Sequence, residues 1–205
     1  MTYARANLAS AAAVCPQPRA QLSASDEALV ARIAQGDRQA MQVLFVRHNV
    51  RVFRFVLGKV KDRTVAEDVV ADIFLEVWRN AHRFEARATV STWLLAIARH
   101  KAFSALRSRR SHDDIDQGLA VEDTSDSPYV TAEIRDRNQV LRSCLAKLSP
   151  SHREILDLVY YQEKPIEAVA SIVGIPLNTV KTRMFYARKQ LAVLLQQAGI
   201  DQAAI

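Results

Sequence analysis

The sequence predicts an all-α protein built as two small helical domains, and three observations carry that prediction. Residues 19–127 contain no proline, so nothing in that stretch removes a helix hydrogen bond. The five glycines, at 36, 58, 118, 174 and 199, stand between periodic segments, where they end helices or open turns. Apolar residues recur every three or four positions, and almost no run alternates with period two, the pattern a half-buried strand would need. A chain of 205 residues that is 49% hydrophobic and 24% charged has material for one medium core or two small ones. No run approaches the roughly 18 apolar residues of a membrane span. Lys and Arg outnumber Asp and Glu by 28 to 22, a surplus that favours a polyanionic partner, nucleic acid before an anionic membrane surface.

The elements follow in order. Residues 1–25 read as a tail. The apolar stretch at 4–15 is mostly alanine with a single Arg, weak material for a secretory leader. Ser25, followed by Asp26 and Glu27, caps a first helix that Gly36 ends. Asp37 to about Gly58 is a second, turning Leu44, Val52, Phe55 and Val56 inward. Thr64 with Glu67 predicts a capping box for a third helix that runs to Asn80. Ser91 or Thr92 starts a fourth, through Trp93, Leu94, Ile97, Ala102 and Leu106. Residues 111–128 then hold six acids and neither Lys nor Arg, which predicts a solvated, flexible acidic linker. Helices at about 129–147, 151–161, 166–173 and 177–197 complete the chain. The predicted domains are 26–110 and 129–198, with a second tail at 199–205.

Charge is segregated in the first domain. Residues 64–76 carry four acids and no base, whereas residues 79–110 carry eight Lys or Arg against Glu85 alone. Two faces for two partners explain this, and a solvated charged surface is the plainer alternative. In the second domain a short helix leads to Gly174, Ile175 and Pro176 and then to a helix with an apolar stripe at Val180, Met184, Ala187, Leu191 and Leu194. Its other side carries Asn178, Thr179, Lys181, Thr182, Arg183 and Tyr186, with Arg188 and Lys189 beyond. This is the pattern of a helix-turn-helix whose second helix enters a major groove, short polar side chains toward base edges and cations toward phosphates.

These residues also carry a resemblance. LeuSerProSerHisArgGluIleLeu, ValGlyIleProLeuAsnThrValLysThrArgMet and AlaArgLysGlnLeu, within 148–195, resemble the −35-reading domain of bacterial sigma factors. AlaGluAspValValAlaAspIlePheLeuGluValTrpArg, ArgPheGlu and SerThrTrpLeuLeuAlaIleAlaArgHisLysAlaPhe look like the domain that binds core polymerase and reads the −10 element. Two such domains with only a linker between them resemble the extracytoplasmic-function (group IV) sigma factors of the sigma-70 family. The likeness spans about residues 26–197.

The resemblance implies a subunit that binds core RNA polymerase through its β′ clamp coiled coil and β flap, directs it to promoter DNA, assists melting and meets an anti-sigma factor. No cofactor, metal or membrane insertion is expected, and two cysteines without a disulfide framework make a reducing cytoplasm the default compartment. Asp68, Asp72, Phe74, Glu76 and Trp78 would dock on polymerase; core packing is the alternative for Trp78. Phe84, Arg87, Ser91, Arg99, His100, Lys101, Phe103, Arg107 and Arg110 would handle the −10 strand, while Trp93 reads as core. Asn178, Thr179, Lys181, Thr182, Arg183, Tyr186 and Arg188 would meet the −35 element. His100 stands where many relatives have Asn, which leaves its base preference open. Pro165 is expected at a first helical position.

Other functions fit less well. The sequence has no Gly-rich phosphate loop and no Ser/His/Asp set in a supporting context, and its five histidines are scattered. Cys15 and Cys144 are too few for a disulfide framework and have no metal-ligand spacing. A stand-alone helix-turn-helix regulator is the nearest rival. It would dimerise on a palindrome and would have no use for an acidic face and a basic aromatic helix in a first domain.

Overall fold

A computed structural model describes residues 24–112 and 132–199, with side chains described over 24–109 and 138–199. Among the described residues there is no strand. Eight α-helices follow in order: α1 Asp26–Ile33, α2 Arg38–Val60, α3 Arg63–Asn80, α4 Val90–His112, α5 Ala132–Lys147, α6 Pro150–Leu156, α7 Ile166–Val173 and α8 Leu177–Gln197. A single 3-10 turn follows α3 at Ala81–Arg83, and a π-turn follows α6 at Asp157–Tyr161. The tail at 1–23, most of the acidic linker, residues 129–131 and residues 200–205 lie outside the described residues.

Side-chain caps set most helix starts. Ser25 Oγ accepts from the amide of Ala28, and Asp37 accepts from the amides of Gln39 and Ala40 while Arg32 grips its other oxygen at 2.7 Å. Those bonds, the Ala40 amide first, hold the Asp37 carboxyl below the ordinary range. Four expected boundaries are corrected. Gly58 does not end α2, which continues to Val60 and closes on Lys61 in the left-handed region (φ 57°). Thr64 does not cap α3; Asp62, two residues earlier, does, accepting from the amide of Val65 and so satisfying one of the orphan donors of the first turn. The α4 start belongs to Thr89, whose Oγ1 accepts from the amide of Thr92. α4 also continues to His112, through the first two residues assigned to the linker.

α1–α4 bury Leu29, Ile33, Leu44, Phe55, Val56, Ile73, Leu94 and Leu95 almost completely. Each such side chain contributes about 1.5–3 kcal/mol of burial. α5–α8 enclose Ile155, Leu158, Val169, Val180, Met184 and Ala187. Within this second unit Gly174 takes the left-handed turn between α7 and α8 (φ 72°), a conformation that costs any other residue steric strain. Pro165 is the cap residue before α7 and not its first helical residue. Cys144 is buried with its thiol toward the carbonyl of Leu194.

The two units pack directly on one another. α4 lies against α7, and one continuous apolar cluster includes residues of both. Polar contacts cross at the same place: Lys59 and Arg99 to Glu154, Lys164 to Ser91, and Arg51 to Glu163. Sequence reasoning did not anticipate this contact.

Candidate nucleic-acid interface

Three surfaces hold the sequence candidates. On α3, Asp68 and Asp72 are exposed one turn apart, so their carboxylates form an open acidic strip. Glu76 continues the line but is engaged, accepting from Asn80 and pairing with Lys101 at 3.6 Å. Phe74 is corrected: it is 4% exposed and belongs to the core. The surface aromatic at that place is Phe45 of α2, 40% exposed and edge-on to Phe74 at 4.8 Å. Leu75 on α3 and Val46 on α2 are likewise exposed, and Trp78 is half-buried beside a shallow depression shared with Arg38 and Met41. The exposed apolar residues beside the acidic strip therefore come from α2 and α3 together. Phe45 escaped the sequence reading because its outward position depends on how α2 rolls against α3.

The second surface is α4 with the loop before it. Phe84 packs on Trp93 (5.0 Å between centroids, 42°), so both rings are half-buried supports of the loop. At the loop tip Ala86 adopts φ 53° between exposed Glu85 and Arg87, which pair at 2.6 Å. A left-handed alanine stores strain, whereas the exposed ion pair contributes little. Arg99 and Phe103 do share one face, with the guanidinium 4.8 Å from the ring centroid. Arg107 is exposed one turn on, and the Arg110 side chain lies outside the described residues. Lys101 is on the opposite side of α4, turned to Glu76 of α3, so the structure does not bring it to the Arg99 stripe. His100 is exposed beside that stripe. Ser91 accepts the hydrogen bond of Lys164, whose ammonium is held below its usual range by burial and by the nearby Arg51 charge.

The same surface contains a residue the sequence reading missed. Lys59, in the last turn of α2, has its Nζ 4.4 Å from the Phe55 ring and 5.7 Å from the Phe103 ring. Lys59 and Arg99 both grip Glu154 of α6, at 2.6 Å and 3.1 Å. Beside Glu154, burial raises the Asp157 carboxyl to about 6, the Glu154 charge adding to the effect and Lys59 opposing it. No sequence pattern joins Lys59 to Arg99, since they lie on different helices.

The third surface is α8. Asn178, Lys181, Thr182, Tyr186 and Arg188 are exposed, while Thr179 and Arg183 are half-buried. Opposite them Val180, Met184 and Ala187 are buried, so the amphipathic reading of this helix holds. The Thr182 hydroxyl donates to the carbonyl of Asn178, leaving its lone pairs outward. Arg188 stacks over Tyr160 of the π-turn at 5.5 Å. Phe185, 62% exposed and edge-on to Tyr186, was not singled out, although helical spacing from Val180 and Met184 places it on the outer ridge.

Comparison with known proteins decides what these surfaces belong to. Residues 44–112 match the family described as Sigma-70 region 2, and residues 138–191 match Sigma-70, region 4. Together the two matches span more than half of the chain, in that order.

The chain belongs to the sigma-70 family.

Its curated relatives include sigma factors of the extracytoplasmic-function type. The ECF RNA polymerase sigma factor SigK of Mycobacterium tuberculosis (strain ATCC 25618 / H37Rv) is 29% identical over 175 residues, covering 83% of this chain and 94% of the relative. SigK of Mycolicibacterium vanbaalenii is 28% identical over 181 residues, covering 86% and 90%. Among solved structures, CnrH in complex with the cytosolic domain of CnrY superposes with a TM-score of 0.63 at 24% identity, over 84% of this chain and 97% of that one. The sigma factor RpoE of Bartonella quintana, in complex with the anti-sigma factor NepR, gives 0.62 at 24% identity, over 74% and 94%. Those two likenesses concern the fold. The region 2 match takes in the acidic strip of α3 and the basic stripe of α4, and the region 4 match takes in the helix-turn-helix. Among the described residues no helix is long and apolar enough to cross a membrane, and no cluster of His, Cys, Asp and Glu could hold a metal ion.

Proposed function

We propose that the protein is an alternative sigma factor: it binds core RNA polymerase, directs it to specific promoters, assists melting and is held in check by an anti-sigma factor. The observation that carries this is the pairing of a region 2 match with a region 4 match in one chain, each coinciding with a surface suited to its task. Asp68 and Asp72, rimming Phe45, Leu75 and Trp78, suit a basic partner helix such as the β′ clamp coiled coil, with an apolar centre and a charged edge. The β flap would meet the α5–α8 unit. Arg99, Phe103 and Arg107 suit a separating strand, since cations track phosphates while a ring takes an unstacked base. Extracting a base from the duplex costs a few kcal/mol, which the loop from Phe84 to Ser91 and the start of α4 would offset.

On α8, Lys181 and Arg188 would grip phosphates and set the register, while Asn178 and Thr182 meet base edges. The protein acts by recruitment, as a regulator of transcription and not as an enzyme, in the compartment that holds polymerase and chromosome. SigK and the RpoE–NepR complex support the polymerase and anti-sigma assignments through what those proteins are named for. The deciding experiment is transcription in vitro with purified core polymerase on genomic fragments. Promoter-dependent initiation on adding the protein is expected, and its absence refutes the reading. The double reversal Asp68→Arg, Asp72→Arg should weaken core association at least tenfold in a folded protein.

A further inference from the structure

Glu154 stands where a nucleic-acid phosphate would be expected. It comes from the helix-turn-helix unit, is only 8% exposed, and receives Lys59 Nζ at 2.6 Å and Arg99 Nε and Nη2 at 3.1 and 3.4 Å from the other unit. One negative charge and two oxygens held between an ammonium and a guanidinium is also how a phosphodiester is gripped. The ring of Phe103, 40% exposed, lies against both cations, within reach of a base attached to such a phosphate. The same unit reaches the α4 surface a second time, through Lys164 on Ser91. An ordinary surface ion pair would leave its carboxylate in water; this one is buried against two cations that a strand-binding helix needs.

We propose that Lys59, Arg99 and Phe103 form a nucleotide site for the promoter strand, and that Glu154 occupies it as an intramolecular substitute for the phosphate until the two units part. This rests on the sigma-factor reading and adds to it Lys59 as a strand-binding residue and Glu154 as its competitor. Separation of the units and strand binding are then one coupled equilibrium: whatever holds the units apart removes the competitor, and a bound strand favours the parted form equally. Free protein should then bind single strands weakly, because Glu154 occupies two of its cations.

The test uses the full chain with two readouts. Dyes at Glu67→Cys and Gln196→Cys, both exposed positions, report separation of the units by energy transfer, with Cys15→Ser and the buried Cys144 retained. Anisotropy of a labelled, mixed-sequence single-stranded DNA 12-mer reports strand binding. Glu154→Gln, which keeps shape and removes charge, should lower transfer and tighten strand binding about tenfold. Adding Lys59→Ala should abolish that gain while transfer stays low. Lys59→Gln alone should lower transfer without tightening strand binding. Unchanged transfer in Glu154→Gln, unchanged strand affinity despite lowered transfer, or a gain that survives Lys59→Ala would each overturn the proposal. Wild-type transcription with core polymerase separates the two levels. If it initiates normally while Glu154→Gln gives any of those results, only the masking fails; if it does not initiate, the sigma-factor reading on which the masking rests fails too.

Discussion

α4 and α8 are both long helices whose charged stripe includes an aromatic residue, yet one is partly covered, at Arg99, and the other open. On α8 the outward residues Asn178, Lys181, Thr182, Phe185 and Tyr186 face away from the core. On α4 the equivalent stripe is met by Glu154 across Arg99 and by Lys164 at Ser91. The difference lies in what a distant helix places opposite: an apolar stripe tells which side of a helix is outward, whereas the partner of a charge depends on tertiary arrangement. On the proposed reading, double-stranded recognition belongs to a surface available in the free protein and strand recognition to one that becomes available on rearrangement.

The largest expected effect breaks the comparison at its open end. Lys181→Ala with Arg188→Ala should cost roughly 1 kcal/mol each in −35 duplex binding, about thirtyfold together, evenly across sequences and with the salt slope reduced by about one per residue. Arg99→Ala in the free protein should change DNA binding far less, because Glu154 already holds that guanidinium. Titrations across salt concentrations check both, and equal losses would remove the distinction between covered and open.

Next comes the cost stored in the covered region. The Asp157 carboxyl is raised from 3.8 to about 6, so between those values the folded protein holds a proton that the unfolded chain has released. Stability therefore falls as pH rises from about 4 to 6 and stays reduced above that. Asp157→Asn removes the charge and should stabilise the protein by about 1–3 kcal/mol near pH 7 and little near pH 4, read by denaturant unfolding at both. A gain of equal size at both would contradict the assignment.

Smaller effects sharpen the open side. Gly174→Ala meets no neighbouring atom within 4 Å but forces a left-handed alanine, at about 1 kcal/mol of stability, measurable as a lowered unfolding midpoint. Thr182→Ala should change the ranking of −35 sequences by only a few-fold, since its hydroxyl proton is committed to Asn178. A selection of bound sequences tests that, and a uniform loss without a changed ranking would make Thr182 a positioning residue.

Much of this was legible in the sequence for identifiable reasons. Helix existence followed from apolar spacing and from the confinement of Gly and Pro. The cap Ser25 followed from side-chain chemistry, whereas Asp37 was read only as a helix start. Helix ends were less legible, because Lys61 accepts a left-handed conformation that glycine was expected to supply. Of the site, the α8 face was readable because one helix creates it. Phe74, Lys101, Lys59 and Glu154 were misplaced or missed because their surroundings come from helices far apart in the chain. Phe74 has the spacing of a surface anchor until Phe45 covers it, and Lys101 lies near Arg99 in sequence but faces Glu76.

The most direct measurement follows the distance between the two units as core polymerase is added. With dyes at Glu67→Cys and Gln196→Cys, energy transfer should be high in the free protein and fall on forming the holoenzyme, in step with the gain of promoter-dependent initiation. Unchanged transfer in a labelled protein that still initiates transcription would contradict the account, because the promoter would then be opened with Glu154 still seated between Lys59 and Arg99.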